Sequence, residues 1–278
     1  MARIRIFISL VCIFAVFILY KLPRGVVDNG ENNLAAKDQS HKNISDSIAL
    51  SVIDAHKQAL TGSQLNEIST LKEKISNSVP REAATLTDSI SNIYIAANLY
   101  DSAAQCYEEL LKRIPDPKYI LKTADLYYNA YNFAMNRDKA SFLGAKARQF
   151  YFEMLERDSS RLDIKNKIAM TYVSSSNPMR GISMLREILE KDPENEEAIM
   201  NMGLLSLQSG QYDKAVERFE QLTKINAANI QGQFYLGLCY YQLGDKEKAK
   251  TQFELVKSLG NDATMMAAVD GYLKELND

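Results

Sequence analysis

The side chains that most often carry catalysis or bind metals are few in this chain. It has 278 residues, and its two histidines are His41 and His56. Its three cysteines are Cys12, Cys106 and Cys239, and no C-x-x-C pair occurs. Nucleophilic catalysis of the Ser–His–Asp or Cys–His type needs a histidine beside the nucleophile, and structural zinc sites need closely spaced ligands. The sequence therefore predicts no catalytic residue, no cofactor and no metal site, and we interpret the chain as a non-enzyme.

The charge of the chain argues against a nucleic-acid partner. Lysine and arginine number 33 and aspartate and glutamate 35, which leaves a net charge of -2. Nucleic-acid-binding domains are typically basic, with lysine and arginine clustered on one face. A glycine-rich phosphate loop is also missing from the sequence. We therefore expect protein partners and no nucleic acid.

Small residues recur every 34 positions in the second half of the chain. A bulky residue follows each of them by four positions: Gly181 and Leu185, Ala215 and Phe219, Ala249 and Phe253. The segments GQYDKA and GDKEKA, at the predicted turns, resemble each other and are separated by the same period. A fixed period of this length with helical spacing inside each unit is typical of a helix–turn–helix repeat array. The pattern predicts an all-α fold.

This pattern resembles the tetratricopeptide repeat family, in which helix A carries an aliphatic, a small residue and a tyrosine at fixed offsets, as in Leu236, Gly237 and Tyr240. The resemblance implies a right-handed α-solenoid of helix pairs. The predicted repeats are 84–116, 117–161, 162–195, 196–229 and 230–261. The repeat 117–161 is longer than the period, and we interpret it as having lengthened helices with a polar turn near Asn136 to Asp138.

Two further helical segments flank the repeats. Residues 45–80 have apolar side chains at helical spacing, which predicts a helical pair and leaves open a degenerate extra repeat. Residues 262–278 are interpreted as a capping helix, because a terminal repeat needs its last apolar face covered.

The first 24 residues differ from the rest of the chain. An uncharged run, IFISLVCIFAVFILY, is preceded by Arg3 and Arg5 and followed by Lys21 and Arg24. With its flanking apolar residues it reaches the roughly 17–25 residues that a membrane span needs. We therefore predict a transmembrane anchor in residues 1–24, in contact with the membrane through residues 6–22, and a flexible polar tether in residues 25–44.

Two other interpretations of the N-terminus remain open. A cleaved signal peptide would need a site with small residues after the apolar run, and Tyr20 to Pro23 does not supply one. A lipoprotein cysteine at Cys12 would follow a small residue, whereas Val11 precedes it. We expect a single-pass protein of the inner (cytoplasmic) membrane of a bacterium, with its repeats on the periplasmic side.

In the tetratricopeptide repeat family, residues of helix A line a concave groove. The resemblance implies that this groove is lined by amides, phenols and lysines: Asn92, Lys122, Tyr128, Asn129, Asn166, Lys167, Asn201, Gln208, Gln231, Tyr235 and Tyr241. Amide side chains both donate to and accept from a peptide backbone, and tyrosine adds apolar area with a polar tip. The carboxylate clamp of chaperone-binding members is not assembled, because Met170, Gln231 and Tyr235 stand where asparagine, lysine and arginine are expected.

The sequence thus predicts a membrane-tethered scaffold that binds a peptide or protein segment in its concave groove, within a bacterial envelope. The alternative is a self-assembling structural subunit of an envelope complex, a homo-oligomer. The long repeat would serve such assembly through exposed aromatic residues, Tyr131, Phe133 and Phe142.

Overall fold

The computed structural model describes residues 59–260 and 262–277. These residues belong to one compact unit, His56–Asp278. The predicted anchor, the tether and the first part of the predicted helical pair, up to residue 58, lie outside the described residues. Among the described helices, none has both the length and the apolar composition that crossing a bilayer requires.

All regular secondary structure in the described part is α-helical. Twelve helices are described there: α1 (Gly62–Asn77), α2 (Pro80–Ala96), α3 (Tyr100–Leu111), α4 (Pro117–Asn132), α5 (Arg137–Arg157), α6 (Leu162–Val173), α7 (Pro178–Lys191), α8 (Glu196–Gln208), α9 (Tyr212–Ile225), α10 (Ile230–Gln242), α11 (Lys246–Leu259) and α12 (Ala263–Asn277). Helix α2 begins at Pro80, four residues before the predicted start of the first repeat. Proline is favoured in a first turn because its missing N–H has no partner to lose there.

The helices stack in chain order. Each helix from α1 to α12 packs against the next one along the chain. First helices of successive repeats also touch, since α4 contacts α6 and α6 contacts α8. Because contacts join near neighbours in sequence, the buried apolar residues of the described part form four clusters along the stack rather than one central cluster. Even-numbered helices α2 to α10 are the first helices of the five repeats, and odd-numbered helices α3 to α11 are the second.

The repeat over residues 117–161 has long helices. Helix α4 has 16 residues against 12 in the next first helix, α6, and α5 has 21 against 14 in the next second helix, α7. The turn between them is displaced from the predicted one. The Asn136 side chain accepts a hydrogen bond of 2.8 Å from the Lys139 backbone N–H and so caps α5. Asp138 therefore lies in the first turn of the helix.

Close helix contact in the last two repeats depends on a glycine beside an aromatic ring. A Cβ atom at Gly203 would lie 2.7 Å from the Phe219 ring, and one at Gly237 would lie 2.9 Å from the Phe253 ring. Both phenylalanines are fully buried. The same contact therefore recurs 34 residues later, because a missing side chain in the first helix leaves room for a ring of the second.

Tyr131 is not an exposed aromatic residue, so its predicted place on an assembly surface is wrong. Its ring is half-buried, and its hydroxyl donates a hydrogen bond of 2.7 Å to the Met170 carbonyl in α6. The hydroxyl also lies 3.3 Å from Ser174 Oγ. The lengthened α4 carries this tyrosine to the next repeat, where it stabilises a helix end.

Candidate functional site

First helices of three successive repeats bring charged and phenolic side chains to one surface. Burial raises the pKa of Tyr128 in α4 to about 12, and the charge of Glu197 in α8 adds to this shift. The charges of Lys167 and Asp163 in α6 in turn affect the pKa of Glu197. Groups from α4, α6 and α8 are thus within electrostatic reach of one another. We call the surface formed by Tyr128, Asp163, Lys167 and Glu197 the inner surface.

Glu197 is the exposed carboxylate of the first turn of α8 in the inner surface. Its side chain is exposed to solvent, yet desolvation by the surrounding protein raises its pKa. Lys167 opposes this shift and Asp163 adds to it. Because Glu197 is exposed, a ligand can reach its carboxylate from solvent. It can bind a cation or accept hydrogen bonds from a ligand.

Lys167 is held in place by its neighbours. Its Nζ lies 2.7 Å from Asp125 Oδ1, and the Tyr151 hydroxyl donates to the same oxygen at 2.7 Å. The ammonium group also lies 5.8 Å from the centroid of the Tyr151 ring. The lysine therefore has a defined orientation in the inner surface, while 29% of its side chain remains accessible to a ligand.

Lys122 is held by a second cluster of the same composition. Its Nζ lies 2.9 Å from Asp88 Oδ1 and 4.6 Å from the centroid of the Tyr107 ring. The Tyr107 hydroxyl donates to the same carboxylate oxygen. Burial acts to raise the pKa of Asp88, but the bonds from Tyr107 and Lys122 outweigh it and hold this pKa below its usual value. Each cluster joins two consecutive repeats, so both lysines stabilise the stack as well as present charge.

Of the six predicted groove residues that carry an amide, five reach the surface of the first helices. Four are exposed and one is half-buried: Asn92, Asn129, Gln208 and Gln231, with Asn201 half-buried. Tyr235 is also half-buried. Its ring stacks on Phe219 at 5.5 Å, and burial raises its pKa.

Asn166 cannot line an open groove, because it is fully buried. Its Nδ2 donates a hydrogen bond of 3.0 Å to Asn195 Oδ1, the oxygen that also caps α8 by accepting from the Ala198 backbone N–H. Asn166 Oδ1 has no partner among the described residues. The role of this side chain is therefore to hold the turn before α8. The period of 34 placed it correctly on the first helix but could not show that the next turn covers it.

Tyr241 is occupied by the capping helix. Its hydroxyl donates a hydrogen bond of 2.5 Å to Glu275 Oε2, and its ring lies 5.1 Å from that of Tyr272. Both partners belong to α12. The predicted contact of Tyr241 with a peptide would therefore have to compete with the cap.

Glu197 was missed as a site residue, although the period could have found it. Asp163, Glu197 and Gln231 are spaced by 34 residues and occupy the same position near the start of α6, α8 and α10. Gln231 was predicted and its two equivalents were not. Asp88 was missed as well, and its importance follows only from the two side chains that converge on it.

The described residues hold no group of histidine, cysteine and carboxylate side chains suited to a metal ion. Cys106 and Cys239 are free thiols. Burial raises the pKa of Cys239 to about 12 and also raises that of Cys106. Both thiols are therefore protonated at neutral pH, and a protonated thiol is a poor nucleophile.

Family models described as tetratricopeptide repeat match the chain in two regions. One model matches residues 172–233 and 206–269, and another matches residues 89–117. No curated protein matches the chain.

Several solved structures are similar to the chain. TTC0263, a thermophilic TPR protein of Thermus thermophilus, is 18% identical over 66% of this chain and 96% of its own, with a TM-score of 0.49. MamA 41-end from Desulfovibrio magneticus RS-1 is 16% identical over 63% and 94%, with a TM-score of 0.45. YrrB, a TPR protein with an unusual peptide-binding site, is 15% identical over 72% and 97%, with a TM-score of 0.42.

Proposed function

Since this chain contains tetratricopeptide repeats, we propose that it is a non-catalytic protein-interaction scaffold. Its inner surface binds a peptide or protein segment. The observation that carries the proposal is that Tyr128, Lys167 and Glu197, from the first helices of three successive repeats, lie within electrostatic reach of one another. Contacts from three successive first helices are spread along the stack, and such a spread suits an elongated ligand better than a compact one.

The chemistry of the inner surface suits a peptide. Lys167 donates, Glu197 accepts, and Tyr128 offers both a ring and a hydroxyl. The exposed amides Asn129 and Gln208 can pair with backbone N–H and C=O groups of a ligand. Lys167 is already oriented by Asp125 at 2.7 Å, so its binding would cost less side-chain entropy than that of a free lysine.

Capture with a matched pair of variants tests this proposal. The groove variant combines Asn129→Arg and Glu197→Lys, both at exposed positions of first helices. The control combines Gln149→Arg and Glu190→Lys, both at exposed positions of second helices. After cross-linking in membranes, we expect wild type and control to retain the same protein partners and the groove variant to lose them. Equal recovery by all three proteins would contradict binding at the inner surface.

We further propose that the scaffold is tethered to the inner membrane of a bacterium by residues 6–22, with its repeats in the periplasm. The support is the apolar run between basic residues, followed by a polar segment. Protease added to spheroplasts tests this proposal with an antibody against the last repeat. Digestion while the inner membrane is intact is expected, and protection until that membrane is lysed would place the repeats in the cytoplasm.

Self-assembly is the second candidate function, and the turn of the long repeat favours it. Met135 is 58% exposed and Phe142 is 60% exposed, so two large apolar side chains face water in the single chain, and a contact between copies would bury them. Phe133 is 40% exposed and stacks on Tyr100 at 5.4 Å. Sedimentation of the purified chain in detergent tests this function, with Met135→Ser and Phe142→Ser as the variant. A monomer at high concentration would rule out assembly.

A further inference from the structure

Two arginines lie against the ring of Tyr172. Arg148 comes from α5 and Arg180 from the first turn of α7, and their guanidinium carbons lie 4.4 Å and 4.7 Å from the ring centroid. The two guanidinium carbons are therefore no further apart than the sum of these two distances. Tyr172 belongs to α6 and is buried, so its ring is a fixed platform that orients both cations.

Neither arginine has a carboxylate partner among the described residues. The ion pairs formed by the described residues include neither Arg148 nor Arg180. Arg148 donates one hydrogen bond of 2.7 Å, to the Thr171 carbonyl. Burial lowers the pKa of Arg148, and the charge of Arg180 lowers it further, while the opposing groups are two tyrosines, Tyr172 and Tyr131. Two neighbouring cations, one of them partly desolvated, are normally compensated by negative charge.

The start of α7 adds to the positive potential. The side chain of Asn177 makes no capping hydrogen bond, and the first turn contains no acidic residue. Arg180 stands in that turn, where the helix dipole disfavours a cation and attracts an anion. Arg180 is exposed, so a solute can reach this point from solvent. The fold thus places the positive end of a helix beside two arginines that lack carboxylates.

We propose that Arg148, Arg180 and the first turn of α7 bind one phosphate-type oxyanion. Each guanidinium offers a planar pair of donors that matches two oxygens of a phosphate group. A tetrahedral oxyanion has enough oxygens to meet both arginines at once, whereas chloride has no such geometry. The phosphate can belong to a free phosphate or phosphomonoester, or to the phosphodiester of a lipid headgroup. The site lies on second helices and is independent of the inner surface.

The test measures the melting temperature of the purified full chain against inorganic phosphate, with ionic strength held constant by sodium chloride. We expect a saturable rise for the wild type and an apparent Kd about tenfold weaker, or more, for Arg180→Gln, since each arginine–phosphate pair is charge-assisted. Arg186→Gln is the matched control, an exposed arginine further along α7, and should behave as wild type. An identical phosphate dependence in wild type and Arg180→Gln would overturn the site.

A second variant separates ligand binding from folding. Arg148→Lys keeps the charge but loses the planar fork and the bond to Thr171, so its melting temperature without phosphate should fall. The quantity compared is therefore the increase in melting temperature that phosphate causes in each protein. This increase should be smaller in Arg148→Lys than in the wild type. An equal increase would show that Arg148 is not part of the site. Glycerol phosphate and glycerophosphoglycerol, both soluble, identify the source. Preference for the first supports a monoester, and preference for the second supports a lipid headgroup.

Discussion

The hydroxyl of Tyr131 in α4 donates a 2.7 Å hydrogen bond to the carbonyl oxygen of Met170 in the last turn of α6. The guanidinium of Arg148 in α5 donates to the next carbonyl, that of Thr171, at 2.7 Å. The last four carbonyls of a helix have no partner within that helix. The long repeat therefore caps the first helix of the repeat that follows it, and its extra length has a structural use.

Replacement of Tyr131 by phenylalanine should lower the free energy of unfolding by about 0.5–1.5 kcal/mol, the usual net contribution of one hydrogen bond. The ring would remain, so packing should change little. Urea denaturation followed by circular dichroism measures the effect. Tyr235→Phe is the control, because its ring is also half-buried and its hydroxyl has no described hydrogen bond. A loss of equal size in both variants would show that the Met170 contact contributes nothing specific.

Replacement of Gly203 by alanine should destabilise the fourth repeat by about 1–3 kcal/mol, because the new Cβ would overlap the buried Phe219 ring. Gly271→Ala is the matched control. A Cβ there meets nothing within 4 Å, and α12 should gain about 0.5–1 kcal/mol from the better helix former. Thermal unfolding compares the two variants, and opposite signs are expected. A neutral Gly203→Ala would mean that the ring can move aside.

Stability should fall as the pH drops below about 4, the region in which carboxylates are protonated. Burial acts to raise the pKa of Glu108, but Lys146 and Tyr127 outweigh it and lower this pKa, as Lys122 and Tyr107 do for Asp88. A carboxylate whose pKa is lower in the folded state stabilises the fold above its unfolded pKa. That stabilisation is lost as the pH falls through the folded value.

The double variant Asp88→Asn, Glu108→Gln should therefore be less stable than wild type at pH 7 and lose less stability between pH 6 and pH 2. The control Glu217→Gln, at an exposed position in the middle of α9, should follow the wild-type curve. Urea midpoints measured across this range give the comparison. A variant curve parallel to that of the wild type would refute the assignment of the acid sensitivity to these two carboxylates.

Truncation of Tyr272 to alanine should uncover the last repeat. Its ring stacks on Phe253 at 5.2 Å and meets Tyr241 at 5.1 Å, so about 2–4 kcal/mol of packing should be lost. Hydrogen exchange is expected to quicken in α11 and to stay unchanged in α3, because repeats contact only their neighbours. Lys274→Ala, an exposed change in the same helix, is the control. Uniform quickening across all helices would indicate a single cooperative unit instead.

Much of the fold was predictable from local pattern. The spacing of Gly203 and Phe219, repeated in Gly237 and Phe253, predicts where two helices approach closely, and the contact is present at both places. The pattern succeeds because each repeat packs mainly within itself and against the next one. The local pattern does not predict which side chains a ligand can reach. Asn166 and Tyr241 occupy groove positions by sequence, yet a turn covers the first and α12 bonds to the second.

The sequence by itself determined the period, the helical class and the scarcity of catalytic side chains, because these depend on residue types at fixed spacing. The tertiary structure decided which side chains meet across repeats. Asp125 and Lys167 are 42 residues apart, and Arg148 and Arg180 meet at the ring of Tyr172 only after three helices have packed. Such meetings depend on helix length and turn placement, and a helix that is longer by one turn carries its side chains about 5.4 Å further. The spacing of residues along the chain does not show a displacement of this size. The charged clusters are therefore visible only in the packed helices.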